Sequence, residues 1–204
     1  MVLEYAENGN LREYLKINFN NINWKQKLNS LCELSYRLIN IHELNIVHQD
    51  FYPGNILSFS FKNSIQISDF GLSKLIGTNP NNPEKKNIVG VLPYIVPKVL
   101  NGDEKYTKAA DVYSFEIIVY KMVTGFPPYL YISYDEDLAI KICNRLRPKI
   151  PFHIFKLITR IIIRNKDSEI GIQINKAKEF SANQESTNVT NSTTTTPLNY
   201  QIHP

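Results

Sequence analysis

The stretch His48-Gln49-Asp50-Phe51-Tyr52-Pro53-Gly54-Asn55 decides how this chain is read, because it sets a carboxylate and an amide five positions apart in a turn-rich loop. Short aliphatic runs stand on either side, Ile46-Val47 before it and Ile56-Leu57 after it, so small strands frame the loop. An aspartate so placed suits accepting the proton of an attacking hydroxyl. An asparagine carbonyl suits holding a magnesium ion that bridges nucleotide phosphates. Taken alone the pattern has a second reading, since Asp and Asn flanking Pro-Gly also serve as turn residues bonding their own backbone.

Downstream, Ile65-Gln66-Ile67 reads as another short strand, and Asp69-Phe70-Gly71 follows it, bringing a carboxylate out at a strand end where oxygen grips a hard cation. Residues 72–92 are polar and carry Gly77, Pro80, Asn81, Asn82 and Pro83, which predicts a long surface loop of the kind that is usually functional. Upstream, Leu3 to Ala6 reads as a strand end. Asn8-Gly9-Asn10 then supplies turn and cap residues for a short helix carrying Leu11, Tyr14 and Leu15.

A long helix is predicted over residues 24–42, where Leu28, Leu31, Leu34, Leu38 and Ile41 recur at three- and four-residue steps with Lys25, Lys27 and Arg37 flanking the stripe. A second apolar helix is predicted over residues 111–123, closed by Thr124-Gly125 and stopped by Phe126-Pro127-Pro128. Two further helices are expected near residues 136–143 and 152–163. Beyond Ser181 hydrophobic density falls, and residues 186–196 are almost entirely Ser, Thr and Asn, so that tail is expected to be disordered. The fold class expected is α+β, mainly α-helical.

Composition excludes more than it assigns. With 204 residues, 43% hydrophobic and 21% charged, the chain supports one buried core of ordinary globular kind. Its formal net charge of +4 is spread over 23 basic and 19 acidic residues without a basic block, so neither nucleic acid nor membrane is expected as a partner. Cys32 and Cys143, the two cysteines, each sit in a helical apolar pattern that suits reduced thiols. The amino terminus has no basic region followed by an apolar run, and no stretch is long enough to span a bilayer, which reads as cytoplasmic or nuclear. Asn188-Val189-Thr190 and Asn191-Ser192-Thr193 fit the glycosylation pattern but follow from composition alone.

Order and spacing decide between the two readings of the loop. A His-x-Asp loop ending in Asn55, a strand pair, Asp69-Phe70-Gly71, a polar loop, Gly90-Val91-Leu92-Pro93-Tyr94-Ile95-Val96-Pro97-Lys98, and then Asp111-Val112-Tyr113-Ser114-Phe115 opening an apolar helix together resemble the protein kinase superfamily. The tyrosine-kinase-like branch is the most similar. The resemblance covers Leu3 to about Arg164, implying a partial kinase domain over residues 1–164 (hinge and carboxyl-terminal lobe), a degenerate end over 165–180 and the tail over 181–204. It implies ATP and Mg2+ as cofactors, Asp50 as catalytic base, and Asn55 and Asp69 as magnesium ligands. It further implies that Leu57 lies beneath the adenine, that the backbone of Glu4 and Ala6 bonds the adenine edge, and that Asp111 braces the catalytic loop.

The sequence also departs from that family. No glycine-rich phosphate loop, strand lysine or helix glutamate is found in the 204 residues, so a carboxyl-terminal lobe without its amino-terminal partner is expected. Gln49 replaces the arginine that would anchor a loop phosphate. Lys98 replaces a glutamate that pairs with a buried arginine, and Glu116 stands where the family has glycine on the central helix. Buried, that carboxylate would cost several kcal/mol unless paired; rotated toward solvent, it would not. Tyr52 and Val91 stand where serine/threonine kinases place lysine and threonine, which leaves the acceptor hydroxyl open. Ser73, Thr78 and Tyr94 are hydroxyls of ordinary loop composition.

Three functions follow. One is ATP-dependent phosphoryl transfer to a protein Ser, Thr or Tyr hydroxyl, inactive in the isolated chain. Another is a non-catalytic, pseudokinase-like module that binds or regulates an intact kinase relative. The third is a small-molecule kinase of aminoglycoside or choline type, which Asp69-Phe70-Gly71 with the 93–97 and 111–115 segments disfavours.

Overall fold

Asn10 starts the first helix, α1 (Leu11–Asn18), with its side chain accepting from the Glu13 N–H at 3.0 Å. The computed structural model describes residues 6–60, 64–76, 88–148 and 200–201. Helix α2 (Trp24–Glu43) opens on a reciprocal cap in which Asn23 and Gln26 each take the other's backbone N–H at 2.9 Å. Leu31, Leu34 and Leu38 are fully buried, as the stripe predicts. Lys27 departs from the prediction. Rather than flanking the stripe in water it is buried, with Nζ 3.4 Å from the centre of the Phe19 ring, where burial lowers the amine's pKa and the ring face supplies the compensating charge.

Strand β1 (Ile46–Val47) leads into the His48–Asn55 loop, and β2 (Ile56–Ser60) with β3 (Ser64–Ile67) forms an antiparallel hairpin after it. Helix α2 holds that hairpin directly: Glu33 Oε1 accepts from the Ile65 N–H at 3.1 Å and pairs with Arg37 at 3.2 Å. Part of the expected long loop is ordered. Strand β4 (Lys74–Leu75) pairs antiparallel with β1, and β5 (Ile88–Val89) pairs in parallel with Tyr200–Gln201, while residues 77–87 lie outside the described residues. Tyr200–Gln201 is a two-residue exception to the unstructured tail expected beyond Ser181; the rest of that tail, and the helix expected over 152–163, fall outside the described residues.

Short helix α3 (Pro97–Leu100) precedes α4 (Lys108–Thr124) and α5 (Glu136–Cys143). The sequence pattern starts α4 at Asp111, but the helix begins one turn earlier, because Lys108 is buried and donates to Asn45 Oδ1 at 3.0 Å. Two cores result. One joins α1, α2, the hairpin, Phe51 and the inner face of α4; the other joins Ile88, Leu92, Ile95, α3, Tyr129 and α5. Lys98 takes neither core and pairs with Glu104 at 2.6 Å on the surface, so no unpaired charge is buried there. Glu116 is half-buried, beside Tyr113, neither fully buried nor exposed.

Gly125 closes α4 with φ +78°, and a Cβ there would come within 2.7 Å of the Phe19 ring that Lys27 covers. Gly125→Ala is expected to destabilise by about 2–4 kcal/mol, combining a left-handed residue with overpacking. Urea denaturation reads it, and a loss below about 0.5 kcal/mol would show that the ring gives way freely.

Candidate active site

The His48–Asn55 loop is held from below by one buried carboxylate. Asp111, in the first turn of α4, accepts from the His48 backbone N–H at 2.8 Å, the Gln49 N–H at 3.1 Å and His42 Nε2 at 3.0 Å. The brace predicted for Asp111 is thus built from three donors on two elements. Gln49 takes a left-handed backbone with φ +70°, which turns two successive N–H groups toward the same carboxylate. His48 is itself buried, and its Nε2 donates to the Ser68 carbonyl at 2.9 Å while its ring packs 5.9 Å from Phe51 and 5.0 Å from Phe70.

Asp50 and Asn55 meet. Asn55 Nδ2 donates to both the Asp50 carbonyl and Asp50 Oδ2, each at 2.9 Å, which uses the amide's donors and leaves its oxygen as the atom suited to a cation. The Asn55 carbonyl accepts from the Ser68 N–H at 2.8 Å and from Ser68 Oγ at 3.0 Å. Ser68 therefore ties the loop to the segment carrying Asp69. The sequence reading missed Ser68, for which a hydroxyl between a strand and a candidate ligand was the only signal.

Asp69 adopts the left-handed conformation (φ +61°, ψ +68°), its Oδ1 accepting from the Gly71 N–H at 3.4 Å, and it is exposed. Tyr52 senses Asp50 and Asp69 together: burial first, then these two carboxylates, raises its phenol pKa. The donor set is the Asn55 amide oxygen at the end of the His48–Asn55 loop and the Asp69 carboxylate just after β3, both hard. That fits a magnesium ion, which takes one or two protein oxygens and completes its shell with phosphates and water. Among the described residues no three His, Cys, Asp or Glu side chains converge, so a wholly protein-built metal cage is not what this loop offers.

Gly90, at the far end of the 72–92 segment, closes on Asp50. Its φ is +129°, a region for glycine, and a Cβ there would stand 3.5 Å from Asp50 Oδ1. Leu57, expected beneath the adenine, is half-buried and bridges Asn10, with Asn8 N–H to Ser58 O and Ser58 N–H to Gly9 O both at 3.2 Å. Ala6 lies at the head of that segment, its carbonyl accepting from the Gly9 N–H at 2.8 Å. Glu4 lies outside the described residues. Of the loop hydroxyls, Tyr94 is buried with its pKa raised by that burial, Ser73 is half-buried, and Thr78 is outside the described residues.

The family model of the protein kinase domain matches residues 1–185. This chain belongs to the protein kinase domain family. Relatives of the kinase domain include the probable serine/threonine-protein kinase roco5 of Dictyostelium discoideum, 33% identical over 162 residues, which are 74% of this chain and 6% of that protein. The SNF-related serine/threonine-protein kinase of Homo sapiens is 28% identical over 171 residues, 81% of this chain and 21% of that protein. An Aurora kinase of Debaryomyces hansenii is 30% identical over 165 residues, 80% of this chain and 38% of that protein. The chain thus spans well under half the length of these relatives. No helix among the described residues is long and apolar enough to cross a membrane.

Proposed function

We propose that this kinase domain supplies the catalytic-loop half of an ATP-dependent protein phosphotransferase, with Asp50 as proton acceptor and Asn55 and Asp69 as the residues that hold magnesium. The observation that carries it is the Asn55 amide bonded to the Asp50 carboxylate at 2.9 Å, which fixes base and metal ligand relative to each other. The bound metal would neutralise phosphate charge. Asp50 accepts the proton of the incoming hydroxyl, Asn55 and Asp69 orient the nucleotide's phosphates, and Leu57 with the backbone at Ala6 and Glu4 lines the adenine side. Likeness to relatives named serine/threonine-protein kinases supports a serine or threonine acceptor. Its motifs resemble the tyrosine-kinase-like branch, and an intracellular setting belongs to the same reading.

Transfer also needs a lysine and a phosphate-covering loop to position the nucleotide, and the 204 residues contain no glycine-rich motif of that kind. Phosphate transfer is therefore expected only when an amino-terminal lobe from a relative is joined to this chain. Radiolabelled Mg-ATP and a mixed protein acceptor test this. A folded chimera that transfers nothing would favour the binding-module reading, in which the lobe docks on an intact relative.

A further inference from the structure

The pairing of β5 with residues 200–201 plays no part in the arrangement above. Strand β5 lies in parallel beside Tyr200–Gln201, with Ile88 level with Tyr200 and Val89 level with Gln201. Among the described residues β5 has no other strand neighbour. Without the 200–201 segment, that edge of β5 is a short row of backbone donors and acceptors lacking partners, which is a template for another extended chain.

The edge lies where an occupant matters. Ile88 is buried in the second core with Leu92 and Ile95, so β5 is anchored on the body of the domain. Val89 leads straight into Gly90, where a Cβ would stand 3.5 Å from Asp50 Oδ1. Because the pairing is parallel, the step from Tyr200 to Gln201 runs the same way as the step from Ile88 to Val89, toward Gly90 and that carboxylate. The sequence after Tyr200 is Gln201-Ile202-His203-Pro204, which holds no Ser, Thr or Tyr. An occupant with no hydroxyl ahead of it fills the edge without offering Asp50 an acceptor.

We infer that β5 is a strand-addition edge, and that residues 200–201 of this same chain are its resident occupant, an intramolecular strap that competes with extended polypeptides approaching Asp50 along β5. Backbone pairing tolerates many sequences, so the strap competes through its main chain and through belonging to the same molecule, not through a matched side-chain pocket. Competition with an acceptor rests on the kinase reading. The strand pairing is tested by binding, without chemistry.

In the whole chain carrying Cys32→Ser and Cys143→Ser, Val89→Cys with Gln201→Cys is expected to form a disulfide in most molecules on mild oxidation. Paired Cα atoms on neighbouring strands stand roughly 5 Å apart, within the ~4.4–6.8 Å that a disulfide spans. Adding Tyr200→Pro, which removes a backbone donor from the strand, is expected to prevent it. A labelled peptide of sequence Pro197-Leu198-Asn199-Tyr200-Gln201-Ile202-His203-Pro204 probes the edge from outside. By fluorescence anisotropy it is expected to bind the whole chain carrying Tyr200→Pro and Gln201→Pro about tenfold tighter than the parent, whose edge is taken. N-methylation of the peptide at its two pairing positions is expected to abolish binding, and the oxidised disulfide form is expected to exclude the peptide until reductant is added. No disulfide, equal or unmeasurable binding to the parent and double-proline chains, or undiminished binding of the N-methylated peptide would each overturn the inference. In the lobe-completed protein the double-proline change is expected to lower KM for a polypeptide acceptor about tenfold with kcat unchanged, as removing a competitor does. An unchanged KM would overturn the strap's competition with the acceptor; the expected disulfide and peptide results without any phosphate transfer would sink the kinase reading alone.

Discussion

Replacing Asp111 with alanine is expected to cost the domain about 3–5 kcal/mol, a large part of the ~5–15 kcal/mol that holds a typical fold together. The carboxylate is buried and takes three donors: the backbone N–H groups of His48 and Gln49, and His42 Nε2. Alanine leaves all three without an acceptor in a place where water does not reach, and each unsatisfied donor carries its full desolvation penalty of about 1–3 kcal/mol. The backbone donors cannot be turned away, because Gln49 is fixed at φ +70° between β1 and the loop. Asp111→Asn keeps the volume and one acceptor, so an intermediate loss is expected. Urea denaturation monitored by circular dichroism measures both. A loss below about 1 kcal/mol for Asp111→Ala would mean that the loop is held by something other than this carboxylate.

Asp50→Asn is expected to lower phosphate transfer by the lobe-completed protein by about 10²–10⁴-fold, the range for removing a positioned general base. An asparagine still offers an oxygen to Asn55 Nδ2, whose present bond to Asp50 Oδ2 is 2.9 Å, so the loop should keep its shape. The loss would then belong to proton acceptance and charge, not to folding. The thermal midpoint should move little, in contrast to Asp111→Ala. Equal initial rates for the parent and Asp50→Asn proteins, at matched folding, would remove Asp50 from its assigned role.

These two aspartates show how unevenly the sequence speaks. The meeting of Asp50 and Asn55 is legible because it depends on a five-residue offset within one loop. Asp69 is legible for the same reason, as the residue that follows a short aliphatic strand. Helix α2 is equally plain, since Leu31, Leu34 and Leu38 share one face, while its Asn23/Gln26 cap, though local, emerged only from the structure.

Other features depended on partners remote in sequence. Lys27 looks like a flanking surface charge until Phe19 is placed beneath it. Lys108 extends α4 by a turn because Asn45, 63 residues away, accepts its hydrogen bond. Ser68 matters only because the hairpin returns it to the Asn55 carbonyl, and Gly90 only because the end of a long segment closes on Asp50.

The Asp111 carboxylate is the clearest case. Its three donors lie 62, 63 and 69 residues away along the chain. Spacing along a single chain determined the candidate loop residues and the long helices beside them, because those signals act over one loop or one helical turn. Packing α4 beneath the loop decided that one carboxylate meets all three donors, because hydrogen bonds depend on distance in space and on burial, and neither can be read from separation along the chain.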